Sequence, residues 1–435
     1  MSMYGAIAQS AQEDRLVATI SASAEDTTFI WRDTLTLSMY KYRYQLESST
    51  TESIEFEITG SPYLHVIDFG QSGSHKLFLK HSGSGAYNQL PKIDFYNGTS
   101  ANREKLQSID NWGNCSFYWS SDRAFSNCTN MDILAPDAPL YYGQRTSTSQ
   151  YYNSIKSRWF LSCTSLKNRN HSLKNIDFAN TETVYGFFQQ TYSLDGGIDL
   201  STYDTSKFAT LNAFFYGCPI SSSVSSSVVN SHGRTYIAWD TSNVTSMQTL
   251  NAGVDQPGES YGQPPGSLYG GKIKGIGNWN TSNVTNLSQA FRGVSLTYTG
   301  TKSSSFNENI NTKEVTIGAG TPLETTYNAW DVSSVQLFGV TNTNNFNYGM
   351  FFNSKFNQPL NNWQINSSSI NPYFNGMFAN CKDFNQPISE SVVTVGSKTY
   401  RAWDVSKVVS FRNMFYNPGS SYFVPAFNQD IGNWN

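Results

Sequence analysis

Residues 276–291 read Ile276-Gly-Asn-Trp279-Asn-Thr-Ser282-Asn-Val284-Thr-Asn-Leu287-Ser-Gln-Ala290-Phe291, and the pattern returns on both sides of this stretch. Ala238-Trp239-Asp240-Thr-Ser242-Asn-Val244-Thr-Ser-Met247 precedes it, and Ala402-Trp403-Asp404-Val-Ser406-Lys-Val408-Val-Ser-Phe411-Arg-Asn-Met414-Phe415 follows. The shared core is Trp, then Asn or Asp, one variable residue, Ser, another variable residue, and Val. A second element, Phe-Asn-Gln before Pro or Asp and an aliphatic residue, begins at Phe356, Phe384 and Phe427, with a variant at Phe306. Internal similarity at this period is the signature of repeated units that bury their apolar faces only by stacking on one another.

The spacing assigns roles within a unit. Ser282 precedes apolar residues at Val284, Leu287 and Phe291, and Ser406 precedes Val408, Phe411 and Phe415. These i, i+3, i+7 positions predict a short amphipathic helix with Ser as its N-cap. The Ile-x-x-Trp segment ahead of it is too short for a helix and predicts the strand of the unit. Successive tryptophans at 239, 279, 330, 363, 403 and 434 are unevenly spaced, so some units carry insertions. Ser226–Trp239, Lys313–Trp330 and Ser391–Trp403 alternate β-forming residues around a Gly-containing turn and predict hairpins. The Pro- and Gly-containing stretch from Gly253 to Gly271 predicts an irregular loop. Asn357, Asn385 and Asn428 hold equivalent positions, where stacked amides can hydrogen-bond the backbone of the next unit.

Composition narrows the class. The chain has 435 residues, with 29 Lys and Arg against 32 Asp and Glu, a net charge of -3. No basic excess is available to neutralise a phosphate backbone, so nucleic acid is not an expected partner. Charged residues make up only 14% and aromatics 15%, which predicts an uncharged polar surface over an aromatic core. Four of the five cysteines share a Phe-x-x-Cys context, at Cys128, Cys163, Cys218 and Cys381; the fifth is Cys115. A recurring context marks a buried structural position, because a free Cys behaves as a small apolar residue. Met1–Ala11 lacks the basic and apolar pattern of a secretory signal, and no run of about eighteen apolar residues suggests a membrane span.

At these repeats the chain resembles the BspA-like leucine-rich-repeat family, whose units read approximately FNQDIxNWDTSNVTNMxxMF and occur in bacterial surface proteins, giant viruses and marine phages. The resemblance runs from Leu106 to Asn435 and implies a leucine-rich-repeat-type β/α solenoid with β-hairpin insertions. Lys105-Leu-Gln-Ser-Ile-Asp-Asn-Trp112 with Ala124-Phe-Ser-Asn-Cys-Thr-Asn-Met131 resembles the first repeat of such proteins, which commonly follows a β-sandwich. Upstream, the alternating runs at Leu35–Met39, Ile54–Ile58, Leu64–Phe69 and Lys76–Leu79 predict a small all-β domain on their own pattern. The sandwich label comes from the resemblance, and Asp68-Phe-Gly-Gln departs from the Asp-Trp-Gly-Asp turn it implies. The expected organisation is α+β: residues 1–15 an N-terminal attachment arm, 16–104 a β-sandwich-like domain, and 105–435 the solenoid, continuing beyond 435 because the last unit stops after Trp434.

No catalytic constellation stands out. The five histidines (His65, His75, His81, His171, His232) form no zinc-binding helix motif, and His75 with His81 is read as an ordinary pair that could approach across a hairpin. There is no nucleophile elbow and no phosphate-binding Gly-rich loop. Asp240 and Asp404 follow a repeated Trp and read as turn or cap groups. Sequons such as Asn243-Val-Thr and Asn283-Val-Thr read as products of the repeat. Catalytic, cofactor and metal residues are therefore expected to be none, and the ligand-binding face is left unassigned. The expected function is a non-enzymatic virion structural protein, a phage fiber, spike or outer capsid component on the virion surface. It would join other structural proteins through its N-terminal region, touch a host-surface glycan or protein, form a homo-oligomer, and insert in no membrane. The alternative is an extracellular bacterial or protist cell-surface adhesin of the same family.

Overall fold

A computed structural model of the chain describes residues between 16 and 434, with interruptions of which 138–153 and 254–272 are the longest. The expected arm at 1–15, the irregular loop after Gly253, the run at Leu35–Met39 and Cys115 lie outside the described residues. The described residues are mainly strand and turn. Helical structure among them is one α-helix, Ser100–Glu104, and two 3-10 turns, Ser172–Asn175 and Ile276–Asn278. No closed barrel is formed among them.

Most described strands of the N-terminal region fall in two sheets that share one apolar cluster. The larger has six strands in the order Asp132–Ile133, Leu106–Asn111, Leu16–Ala22, Gly73–His81, Tyr40–Leu46 and Phe56–Ile58. The smaller places Thr28–Asp33 between Leu64–Asp68 and Ile93–Asp94. Alternation along Leu16–Ala22 buries Leu16, Ala18 and Ile20 completely, and Leu77 and Leu79 of the neighbouring strand join them. Phe29 and Ile67 of the smaller sheet, and Phe95 just after its last strand, belong to the same apolar cluster. Leu106–Asn111, the first strand of the expected repeat region, pairs antiparallel with Leu16–Ala22 and parallel with Asp132–Ile133. One sheet thus runs from the β region into the repeats.

From there the chain winds in coils that hydrogen-bond in register. Single residues of successive coils form one parallel column of bridges, Thr183, Thr210, Ser246, Asn286, Leu337, Tyr373 and Ser410. Beside it, backbone N–H groups alternate in use. Those of Leu211, Ala213, Phe215 and Gly217 donate to Ser246, Gln248, Leu250 and Ala252 of the next coil at 2.9 Å each, while those of Phe214, Tyr216 and Cys218 close turns onto Leu211, Ala213 and Phe215.

That alternation corrects the expected helix. The segment from Val284 to Phe291 buries Val284, Leu287 and Phe291 completely, as the spacing requires, but it is wound turn rather than α-helix. Leu287 N–H donates to Leu337 and Phe291 N–H to Met350, both in the next coil. An α-helix would direct those donors to residues four positions earlier in the same segment. The residue read as the N-cap also changes role: Asn280 Oδ1 accepts the Ser282 N–H and hydroxyl, and Asp204, Asp240, Asp331 and Asp404 cap the same turn in their coils. Ile276–Asn278 is a 3-10 turn where a strand was expected, and the bridging residue, Asn286, falls inside the segment read as helix.

Tight winding puts non-glycine residues in the left-handed region. Asn127, Ser162 and Gln190 have φ of 61, 58 and 59, and Asn353 and Asn380 have 51 and 53. Each such residue costs on the order of 1 kcal/mol. Inter-coil bonds hold them there, as in Ser162 N–H to Gln189 and Gln190 N–H to Tyr216.

Equivalent side chains stack into ladders. Phe125, Phe160, Phe188 and Phe215 stack at 5.7, 5.9 and 6.0 Å, and Phe306, Phe356, Phe384 and Phe427 at 5.8, 6.1 and 5.8 Å. Phe95 of the β region caps the first ladder at 5.6 Å from Phe125. Trp239, Trp279, Trp330, Trp363 and Trp403 are wholly buried, so each indole N–H needs an internal acceptor. Trp239 donates to Leu200, Trp279 to Val224, Trp330 to Ile276, Trp363 to Ile310 and Trp403 to Leu360, all at 2.7–2.9 Å. The Phe-x-x-Cys thiols are buried and form no disulfide with one another. The asparagine ladder is present too: Asn357 N–H donates to Asn307 Oδ1, Asn385 to Asn357 and Asn428 to Asn385, at 2.8, 2.9 and 2.9 Å.

All three expected hairpins form. Ser227–Ser231 pairs with Arg234–Ala238, Lys313–Ile317 with Thr325–Ala329, and Ser391–Val395 with Lys398–Ala402. His232 and Gly233, both at positive φ, make the first turn, which matches the right-handed twist of the strands. Each hairpin leads into Trp239, Trp330 or Trp403, and among the described residues from Trp239 onward the coils of Trp279, Trp363 and Trp434 show none, so these hairpins fall on alternate coils.

Two measurements check this architecture. Asn385→Ala removes the acceptor shared by Asn428 N–H and Gln429 Nε2 and is expected to lower unfolding stability by about 1–2 kcal/mol in urea titration. Asn230→Ala on the exposed hairpin face should change it by under about 0.5 kcal/mol, and equal effects would remove the ladder's claim to stability. A thiol reagent should leave Cys128, Cys163, Cys218 and Cys381 unlabelled in the folded chain and label all four in denaturant.

Candidate functional site

Most repeated side chains are consumed by the stack, so a site must be sought where side chains leave it. Asp240 and Asp404, set aside as turn groups, hold the N–H groups of Ser242 and Ser406 at 2.9 and 3.1 Å. Asn243 and Asn283, the sequon asparagines, are exposed, and their amides donate to Ser206 and Ser242 of the preceding coil at 2.7 and 2.6 Å. His75 and His81 lie on one strand, Gly73–His81, so they cannot approach across a hairpin. His75 is buried, stacked on Phe69 at 4.3 Å, with Nε2 3.0 Å from the Gln71 carbonyl. Among the described residues no group of three or more His, Cys, Asp or Glu side chains is placed to hold a metal ion. Burial pushes the Cys381 thiol up to about 12 and Cys163 well above its ordinary value, so neither is a thiolate at neutral pH.

What leaves the stack is the row of hairpins. Alternation gives each a coil-facing and an outer side. On the coil-facing side, Tyr236, Tyr327 and Tyr400 pair with Val229, Val315 and Val393. Their hydroxyls donate to the carbonyls of Thr202, Asn278 and Asn362, each directly before the core aromatic of the preceding coil. Burial raises all three tyrosines above their ordinary value, Tyr400 to about 12, so they stay protonated as donors. On the outer side, Thr316 pairs with Thr326 and Thr394 with Thr399, hydroxyl to hydroxyl at 2.8 and 2.9 Å, and Thr235 donates to Asn230. These six residues are exposed and uncharged.

The first hairpin carries a polar cluster that the sequence did not reveal. Arg234 grips Asp177 with both ends of its guanidinium, Nη1 to Oδ2 and Nη2 to Oδ1 at 2.7 Å each, and Nη2 reaches Asp204 Oδ2 at 3.1 Å. Its guanidinium lies 4.7 Å from the centre of the Tyr236 ring. The partners are 57 and 30 residues away along the chain, so no local spacing announces them. Asp177 is pulled in two directions. Burial raises its pKa, but the Arg234 and Ala179 hydrogen bonds and the charges of His232 and Arg234 outweigh that and leave it below the ordinary value. A carboxyl lowered on folding contributes stability that is complete above the unfolded pKa, about 3.9, and is lost as pH falls through the folded value. The stability difference between the native chain and Asp177→Asn should therefore shrink as pH is lowered below about 4. A difference independent of pH would show that the carboxylate charge does not act in the clasp.

Compared with known families, the chain matches the one described as "Mycoplasma protein of unknown function, DUF285", over residues 156–256, 270–401 and 394–435. No curated protein and no solved structure matches it. The matched segments take in the Trp-Asn/Asp-x-Ser-x-Val coils from Trp239 onward, the three hairpins and the Asn ladder, and they cover more than half of the 435 residues. The chain belongs to this family of repeat proteins.

Proposed function

We propose that the chain is a non-enzymatic recognition element, a BspA-like solenoid carried by a β-sandwich-like region at 16–104 and attached through residues 1–15. Its place in this reading is the virion surface, as a fiber, spike or outer capsid component that contacts a host glycan or protein. The observation that carries the reading is the disposition of side chains. The repeated Trp, Phe, Asn and Cys positions are spent on coil-to-coil contacts and the repeated Asp on turns within each coil, and what projects is a row of hairpin faces centred on uncharged Thr and Asn pairs. Such a body suits display better than turnover, because catalysis needs convergent groups with matched pKa values. A second reading, a bacterial cell-surface adhesin, is favoured by the family description, which names Mycoplasma proteins. Among the described residues no helix is long and apolar enough to cross a membrane.

The test is location together with binding. Immunogold labelling with an antibody against the chain should decorate virus particles purified from the source culture, and labelling of uninfected cells alone would replace this reading with the adhesin one. Purified protein should bind host cells, lose binding when the cells are treated with glycosidase or protease, and turn over no glycan, peptide or ester substrate. Saturable turnover abolished by one hairpin substitution would overturn the non-enzymatic reading.

A further inference from the structure

The hairpins lean on one another like roof tiles. Gly318, the first turn residue of the second hairpin, sits on Val228 of the first, so close that a Cβ there would lie 2.6 Å from Val228 Cγ2. Gly396, in the turn of the third, sits on the Glu314 and Asn328 pair of the second, where a Cβ would collide with the Glu314 carboxylate. Both glycines have positive φ, 67 and 57. Val228, Glu314 and Val392 are equivalent, each the second residue of its hairpin. Val228, beneath a tip, is half-buried, whereas Val392 is 70% exposed. The first hairpin rests differently. A Cβ at its turn glycine, Gly233, would have nothing within 4 Å, and the next residue, Arg234, reaches Asp177 and Asp204 on the preceding coils.

We propose that the Arg234 clasp fixes the seating of the whole row: it anchors the first hairpin to the coils, and the second and third take their positions from it through the glycine tips. Three features support this. The clasp is bidentate, which fixes direction as well as distance. Asp204 Oδ1 is already held by the Ser206 N–H and hydroxyl, so the acceptor is preset by its own coil. Each later tip contacts the hairpin before it at a glycine of positive φ, Gly318 against the short Val228 side chain and Gly396 against the Glu314 carboxylate. The Tyr327 and Tyr400 hydroxyls hold the later hairpins to their coils near the middle of each strand, and at the third tip the contact to the coils is a single exposed ion pair, Lys398 Nζ to Asp331 Oδ2 at 3.8 Å, in place of the Arg234 fork. The clasp is thus a conformational device: a change at Asp177 or Asp204 is felt at Val392.

Hydrogen exchange on the full chain tests it. Arg234→Gln should speed exchange at least tenfold in 227–238 and several-fold in 313–329 and 391–402, with the coil amides of Met247 and Leu287 unchanged. Acceleration confined to 227–238 would overturn the proposal. In Arg234→Gln combined with Gly318→Ala, whose Cβ would press on Val228, the link from the first hairpin to the second is already disturbed, so exchange at 313–329 and 391–402 should match that of Gly318→Ala alone, while a further increase there would mean a route that bypasses the tips. Should Arg234→Gln also loosen the coils, Arg234→Lys, which keeps the charge and loses the fork, is read against the same two outcomes.

Discussion

The structure depends on one division of labour in the backbone: along each coil, alternate N–H groups close turns within the coil and bond the coil that follows. This arrangement satisfies buried donors without long strands or helices. It also fixes register, because a coil that slips by one residue exchanges its outward-bonding donors with its turn-closing ones. Everything repeated in the side chains then falls into columns. Aromatic ladders, indole bonds to the preceding coil and the asparagine ladder all follow from that single register.

The side-chain columns strengthen what the backbone sets. Stacked aromatic pairs contribute roughly 0.5–1.5 kcal/mol each beyond the area they bury, and they recur at every coil that keeps its Phe or Trp. Left-handed residues work against them, at a similar cost apiece. The balance favours winding because each such residue serves a corner whose bonds face two neighbours. Amide side chains extend the logic to the exterior, where Asn243 and Asn283 tie each coil to the one before it.

Much of this was legible in the sequence, for a physical reason. Burial imposes i, i+3, i+7 spacing on Val284, Leu287 and Phe291 whether the segment is an α-helix or a wound turn, so the core residues were read correctly and the secondary structure was not. The competing acceptor, a carbonyl of the next coil, lies about fifty residues away and leaves no local trace. Hairpins were readable because their signal is local, as in Ser227–Ala238 with its His232-Gly233 turn. The Arg234 clasp was not, since Asp177 looks like any acidic residue before a Phe until three coils are brought together. The join between regions was hidden in the same way: Leu106–Asn111 looks like the start of a repeat and is also the neighbour of Leu16–Ala22.

The alternation of coils with and without a hairpin bears on how such a chain can change length. Removing a single coil would bring two hairpins one strand spacing apart, about 4.8 Å, where two layers of side chains need about 10 Å. Inserting a single coil would lift a glycine tip off its seat. From Trp239 onward, a gain or loss that keeps the glycine tips on their seats therefore has to come in pairs of coils, twice the unit that the eye picks out from Trp279 and its neighbours.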